Sequence, residues 1–165
     1  MRPLHSDDGV RAPLLERLTD ENPGVSTEPI PRRMLTIEKL AQSIEREVRV
    51  LLNTRCPLPE ADIDYEYRSV VDYGLIDLNR FFTNSVEDKR RLSRHIAQTI
   101  AAYEPRLARV NVTIAAVHKE IKTLEVEVSG EMRFGQITHP LAFPVRIAPP
   151  GEDVGSNAAG REGEG

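Results

Sequence analysis

The chain has 165 residues, 39% of them hydrophobic, no Trp, and a net charge of −4 from 22 basic and 26 acidic residues. That length admits one domain with a modest core, and the near-balanced charge argues against nucleic-acid binding over the whole surface while leaving room for a local basic patch. One cysteine, Cys56, cannot staple a fold, and the sequence has no long apolar run, so the chain reads as a cytoplasmic protein with no direct membrane insertion.

Residues 1–33 read as a flexible N-terminal segment, because Pro3, Pro13, Pro23, Pro29 and Pro31 interrupt any long helix. The start has no apolar core of signal-peptide length and carries early acids, so it reads as unprocessed. Within it, "PLLERLTD" sets Leu14, Leu15 and Leu18 on one side of a short amphipathic turn, with Pro13 suited to its first position. Such a piece is marginal alone in water and becomes ordered by docking. A disordered leader with incidental leucines is the competing reading.

Residues 34–147 carry the domain. A first helix is predicted from about Thr36, a suitable N-cap, to Asn53; Ile37, Leu40, Ala41, Ile44, Val48, Leu51 and Leu52 recur at the spacing of one buried face. Pro57 and Pro59 end it. The next stretch, "LPEADIDYEYRSVVDYGLIDLNRFFTNS", has mixed patterning and is long for an irregular connection, which marks it as functional. Within it "SVVDYGL" is suited to a short turn of helix or strand.

A second helix is predicted from Ser85. Ser85 and Asp88 resemble a capping box, and Leu92, Ile96, Ile100 and Tyr103 form the apolar stripe. Pro105 disfavours helical geometry at Glu104, so the helix ends there. After it the pattern changes to period two. Val110, Val112, Ile114 and Ala116 alternate with Arg109, Asn111, Thr113 and Ala115. Leu124, Val126 and Val128 alternate with acids and Ser129. Gly130 reads as a break, followed by Met132 and Phe134. Leu141, Phe143, Val145 and Ile147 form a last run, which Pro144 assigns to an edge or an interruption. The last residues, 148–165, hold five of the ten glycines and read as a disordered tail. The fold class is therefore α+β: two N-terminal amphipathic helices packed on a small antiparallel sheet of three to four strands, with flexible tails.

The chemistry-bearing residues give no strong site. His5, His95, His118 and His139 lack a metal-ligand spacing, Cys56 has no base beside it in sequence, and no glycine-rich phosphate loop opens a helix, so no metal, cofactor or nucleophilic residue is expected. Asp62, Asp64, Glu66, Asp72 and Asp77 crowd the middle segment, and a pair of them is the material a glycan hydrolase needs. The absence of Trp platforms weighs against a sugar cleft. "KRRLSR", residues 89–94, reads as the outer sides of a helix, a solvated or protein-docking face in preference to a nucleic-acid site.

Two stretches in order, "SVVDYGLIDL" at 69–78 and "YEPRL" at 103–107, followed by the β-hairpins, resemble the phage baseplate wedge and sheath-initiator family that includes TssE of type VI secretion. The resemblance covers about residues 35–147, and "PLLERLTD" is similar to that family's N-terminal region; the Gly-rich tail is not part of the pattern. It implies a structural, non-enzymatic part of a contractile injection machine, which joins the baseplate wedge to the sheath and templates sheath assembly. The implied partners are the baseplate subunits TssF and TssG and the contractile sheath. The family also contains the soluble anti-adaptor IraD, so a regulatory binding module is the alternative; a lysozyme-like activity, after which phage relatives were once labelled, is the second. The partner-binding residues expected are Glu104, Pro105 and Arg106 at the helix-to-strand corner, Tyr73, Gly74, Leu75 and Asp77 in the middle segment, and Leu14, Leu15 and Leu18. A surface ion pair after a helix stop competes with the docking reading of Glu104 and Arg106.

Overall fold

A computed structural model of the chain describes residues 10–11, 34–78, 85–134 and 136–149. The first long helix, α1, runs from Ile37 to Asn53, and the Thr36 side chain caps it by accepting the Lys39 N–H at 3.4 Å. Leu40, Ile44, Val48, Leu51 and Leu52 all turn inward from it and are buried. The second, α2, spans Val86–Tyr103, with the Ser85 hydroxyl accepting from the Asp88 N–H. Leu92, Ile96 and Ile100 are its buried stripe, joined by His95 and Thr99. It stops at Glu104, as the following proline requires.

Three strands follow: β3 (Leu107–His118), β4 (Thr123–Phe134) and β5 (Ile137–Ile147), numbered after the two-residue strands β1 (Val10–Arg11) and β2 (Met34–Leu35). They form an antiparallel meander ordered β3-β4-β5. Helix α2 lies along β3, and α1 lies by β5. Leu124, Val126, Val128 and Met132 of β4 and Phe143, Val145 and Ile147 of β5 meet the helices, while Glu125, Glu127, Pro144 and Arg146 face water. One buried face and one wet face is the arrangement that the period-two pattern encodes.

One feature departs from the sequence reading. Gly130 does not break the chain; β4 passes through it without interruption. A Cβ there would come within 2.9 Å of the Ala108 carbonyl oxygen and 3.0 Å of the Leu107 side chain, so glycine marks a close strand approach. Opposite it, β3 is bulged between Ala108 and Asn111, where Arg109 takes φ 51°. The sheet accordingly has three strands. In addition, β1 pairs antiparallel with β2 at the start of the domain, Val10 with Leu35 and Arg11 with Met34. A pairing of two residues leaves no periodic trace in sequence.

The middle segment is irregular but tightly tied down. It holds two short 3-10 turns, Glu60–Asp62 and Val70–Asp72. It returns to the end of α1 through a parallel bridge between Arg55 and Leu75, in which the Leu75 N–H donates to Thr54 O and the Cys56 N–H to Leu75 O, both at 2.8 Å.

Candidate functional site: a locked corner, a capped loop and two sheet edges

The corner Glu104-Pro105-Arg106 is built by the end of α2 and the start of β3. The Leu107 N–H donates to the Glu104 carbonyl at 3.1 Å, which turns the chain, and the Arg106 carbonyl accepts from the Arg133 N–H at 3.1 Å, which ties the turn to β4. The two charges face each other. Arg106 Nε donates to Glu104 Oε1 at 2.7 Å, Nη2 donates to Oε2, and the Arg106 backbone N–H also reaches Oε1 at 3.1 Å. The remaining arm, Nη1, donates to Ser43 Oγ of α1 at 3.0 Å. Glu104 is 3% exposed, so its carboxylate is an internal acceptor. The planar guanidinium satisfies a fork geometry that lysine would not. Pro105 is exposed, and the Arg106 side chain keeps 23% of its surface open. The corner thus fastens both helices to the sheet and turns Pro105 and one flank of Arg106 outward.

The middle segment uses a second buried pair. Arg68 donates to the Asp72 carboxylate through Nε and to the Asp72 carbonyl through Nη2 at 2.8 Å, and its side chain is 4% exposed. Its guanidinium also lies 5.6 Å from the Tyr65 ring centre and 5.1 Å from that of Tyr103. Asp72 closes a complete capping box with Ser69: the Ser69 N–H donates to Asp72 Oδ1 at 2.6 Å, and the Val71 N–H donates to Ser69 Oγ at 3.3 Å. Burial alone would raise the Asp72 carboxyl, but the Ser69 hydrogen bonds and the Arg68 charge outweigh it and hold the group below its ordinary range. A general acid for glycoside cleavage needs the opposite shift.

Beside this pair, the Tyr65 hydroxyl meets His95 Nδ1 at 2.6 Å. Burial, reinforced by Arg68, lowers the His95 pKa to about 4. The imidazole is therefore neutral at pH 7, and its Nδ1 and the Tyr65 hydroxyl share one hydrogen bond. Among the described residues, Arg68 Nη1, His95 Nε2 and Thr99 Oγ1 have no hydrogen-bond partner.

The residues nominated in this segment fall mostly on its inner side. Leu75 is fully buried, Gly74 is buried, and Tyr73 is half-buried against the Tyr103 ring at 5.1 Å. Gly74 takes φ +105°, where a side chain is strained, and a Cβ there would collide with the Thr54 carbonyl. These three shape the domain; Asp77 is exposed. Leu14, Leu15 and Leu18 lie outside the described residues. Sequence reading missed Arg68, Ser69, Ser43 and the Tyr65–His95 contact. The S-x-x-D spacing at 69–72 was available as a signal, since the same spacing identified the cap at 85–88.

The two sheet edges differ. On β5, the Arg146 carbonyl accepts from Asn53 Nδ2 at 3.1 Å, and the Ala148 N–H donates to Asn53 Oδ1 at 3.1 Å. The side-chain amide occupies the place of a next strand. Backbone direction alternates along a strand, so Pro144 and Pro140 present the same outward edge as Arg146, and neither has an N–H to offer. On β3, the register with β4 turns the backbone groups of Val112 and Ile114 away from β4, between bulges at 108–111 and 114–116. An open groove runs there, with Val112 and Ile114 on one side and Lys89, Arg90 and Arg94 of α2 on the other. These three cations have no ion-pair partner among the described residues, whereas Arg91 pairs with Glu60 at 2.8 Å.

Among the described residues, no group of three or more His, Cys, Asp or Glu is arranged to hold a metal ion, and no helix is long and apolar enough to cross a membrane. No curated protein matches the chain. Among solved structures, a chain from "The baseplate complex from the type VI secretion system" is similar at 20% identity and a TM-score of 0.48, with 68% of this chain and 97% of that chain covered. A family model described as "Baseplate wedge protein gp25" matches residues 38–136, from the first turn of α1 to the turn before β5. With well over half its length matched across both helices, the corner and the hairpin, the chain belongs to the baseplate wedge protein gp25 family.

Proposed function

We propose that the chain is a structural wedge subunit of a type VI secretion baseplate, which works in the cytoplasm, contacts TssF and TssG, and offers the contractile sheath a surface on which to start. The observation that carries this reading is the family match over 38–136, which spans the elements that build the corner and the β3 edge. In this reading residues 34–147 are the wedge domain, and the leader with Leu14, Leu15 and Leu18 and the Gly-rich tail are appendages to it.

The geometry supports a division of labour. Pro105 and the outer flank of Arg106 are the parts of the corner accessible to a partner, and Glu104 contributes by holding Arg106 in place. For the sheath, β3 is the better template. Its Asn111–Ile114 window keeps regular pairing geometry, whereas β5 lacks two outward donors and is closed at one end by Asn53.

The test is genetic and biochemical. Deleting the gene in a strain with a fluorescent sheath is expected to abolish sheath assembly, and the purified chain is expected to co-elute with a TssF–TssG complex. Normal sheaths in the deletion strain would overturn the reading. Within β3, Val112→Pro removes an outward donor and is expected to block sheath initiation while TssF–TssG binding persists; initiation by a folded variant would remove the β3 assignment.

A further inference from the structure

We propose that residues 64–71 form a rigid docking knob, in which Tyr67, Val70 and Val71 enter an apolar pocket rimmed by Lys or Arg on a neighbouring protein subunit. Tyr67 is 77% exposed, Val70 89% and Val71 63%. With Tyr65 they concentrate in one short stretch, whereas the other exposed large hydrophobics among the described residues, Val50, Val86, Ile121 and Ile137, are dispersed along the chain. Isolated exposed apolar residues need no explanation, but a local concentration does.

The chain beneath this stretch is held unusually firmly for a loop. The Asp64 carboxylate accepts from the Glu66 and Tyr67 N–H groups at 2.9 and 3.3 Å, which fixes the turn leading to Tyr67. Arg68 then points inward to Asp72 between the two tyrosine rings, and the Ser69–Asp72 box sets the 3-10 turn that carries Val70 and Val71. The Tyr103 hydroxyl donates to the Ser69 carbonyl at 2.7 Å and ties the turn to α2. The Arg68–Asp72 pair is drawn inward, whereas Tyr67, Val70 and Val71 are left out. Anchoring of this kind removes the ordering entropy that a partner would otherwise have to supply.

Charge identifies the partner's rim. Asp62, Asp64 and Glu66 are exposed, no base lies between Glu60 and Arg68 in the chain, and the Arg68 charge is spent on Asp72. Apolar anchors within an acidic surround fit an apolar pocket with a basic border, and they are repelled by an anionic lipid surface.

The experiment uses the full chain and, as probe, a purified TssF–TssG complex; the proposed function supplies only that choice of probe. Tyr67→Ala and the pair Val70→Ser with Val71→Ser are expected to weaken binding by about tenfold or more, with the melting temperature retained because these side chains are exposed. Asp62→Lys with Glu66→Lys is expected to weaken binding further at low salt and to flatten its salt dependence. If the unaltered chain binds the complex and the apolar variants bind equally well, the knob is overturned and the proposed function stands. If the unaltered chain does not bind, both fall. Self-association of the unaltered chain in sedimentation velocity, lost in Val70→Ser with Val71→Ser, would assign the knob to a second copy and overturn the proposal.

Discussion

The corner at 104–106 and the loop at 64–73 solve one problem in two ways. Each fixes an irregular piece of chain with an arginine folded back on a nearby carboxylate: Arg106 on Glu104, and Arg68 on Asp72. At the corner Nε and Nη2 of the arginine find the Glu104 carboxylate, and Nη1 reaches Ser43 on another helix. In the loop Arg68 Nη1 has no acceptor among the described residues, and two tyrosine rings flank the guanidinium instead. The corner is a fastener between elements; the loop is a pedestal for exposed apolar side chains. At both places the charged motif in sequence is first satisfied within the molecule. Where an acid and an arginine sit two to four positions apart at a chain reversal, their first partners are each other.

The largest effect should come from breaking the corner. Arg106→Ala leaves Glu104 buried without its cation and is expected to lower unfolding stability by about 3–5 kcal/mol in urea denaturation. A loss near zero would mean that the pair acts only at an interface. Glu104→Gln with Arg106→Met removes both charges and should cost less than Arg106→Ala, which sharpens the distinction between a missing contact and a stranded charge.

Beside the loop, acid should loosen the His95 contact. The folded pKa of about 4 lies below the ordinary His value of about 6.5, so the unfolded chain binds the extra proton first. Stability is then full above about pH 6.5 and falls between that pH and about 4, by about 3 kcal/mol for this group. His95→Gln should flatten that part of the pH profile, as measured by denaturation at a series of pH values; an unchanged slope would locate the acid sensitivity elsewhere. Asp72, held low, adds its loss below its unfolded value near 3.8.

Gly74→Ala should cost about 2 kcal/mol, since positive φ and the Thr54 carbonyl both oppose a side chain. The smallest effect belongs to the loop's outer side: Val70→Ser should change stability by less than about 0.5 kcal/mol in the same assay. A larger loss would show that the valine packs against the domain and does not serve as a pedestal's cargo.

Much of the frame was legible before the structure. The helix limits followed from Thr36, Ser85 and Pro105, whose effects act within one turn, and the three alternating runs followed from side-chain direction along a strand. Gly130 was misread because glycine serves both to end a strand and to let two strands approach, and only the partner strand distinguishes these uses. The middle segment was singled out by its length, but its inner and outer faces were not separable: irregular chain has no period to assign them.

By itself, then, the sequence determined the elements, their order and the family resemblance, because helix caps, prolines and hydrophobic periods act over a few neighbouring residues. Tertiary structure decided which way the charges point. Arg106 reaches Ser43 across 63 positions, and Asn53 covers the β5 edge at Arg146 across 93. Such partners are chosen by packing of the two helices on the sheet, and burial then makes pairing obligatory for groups that in an extended chain would be satisfied by water.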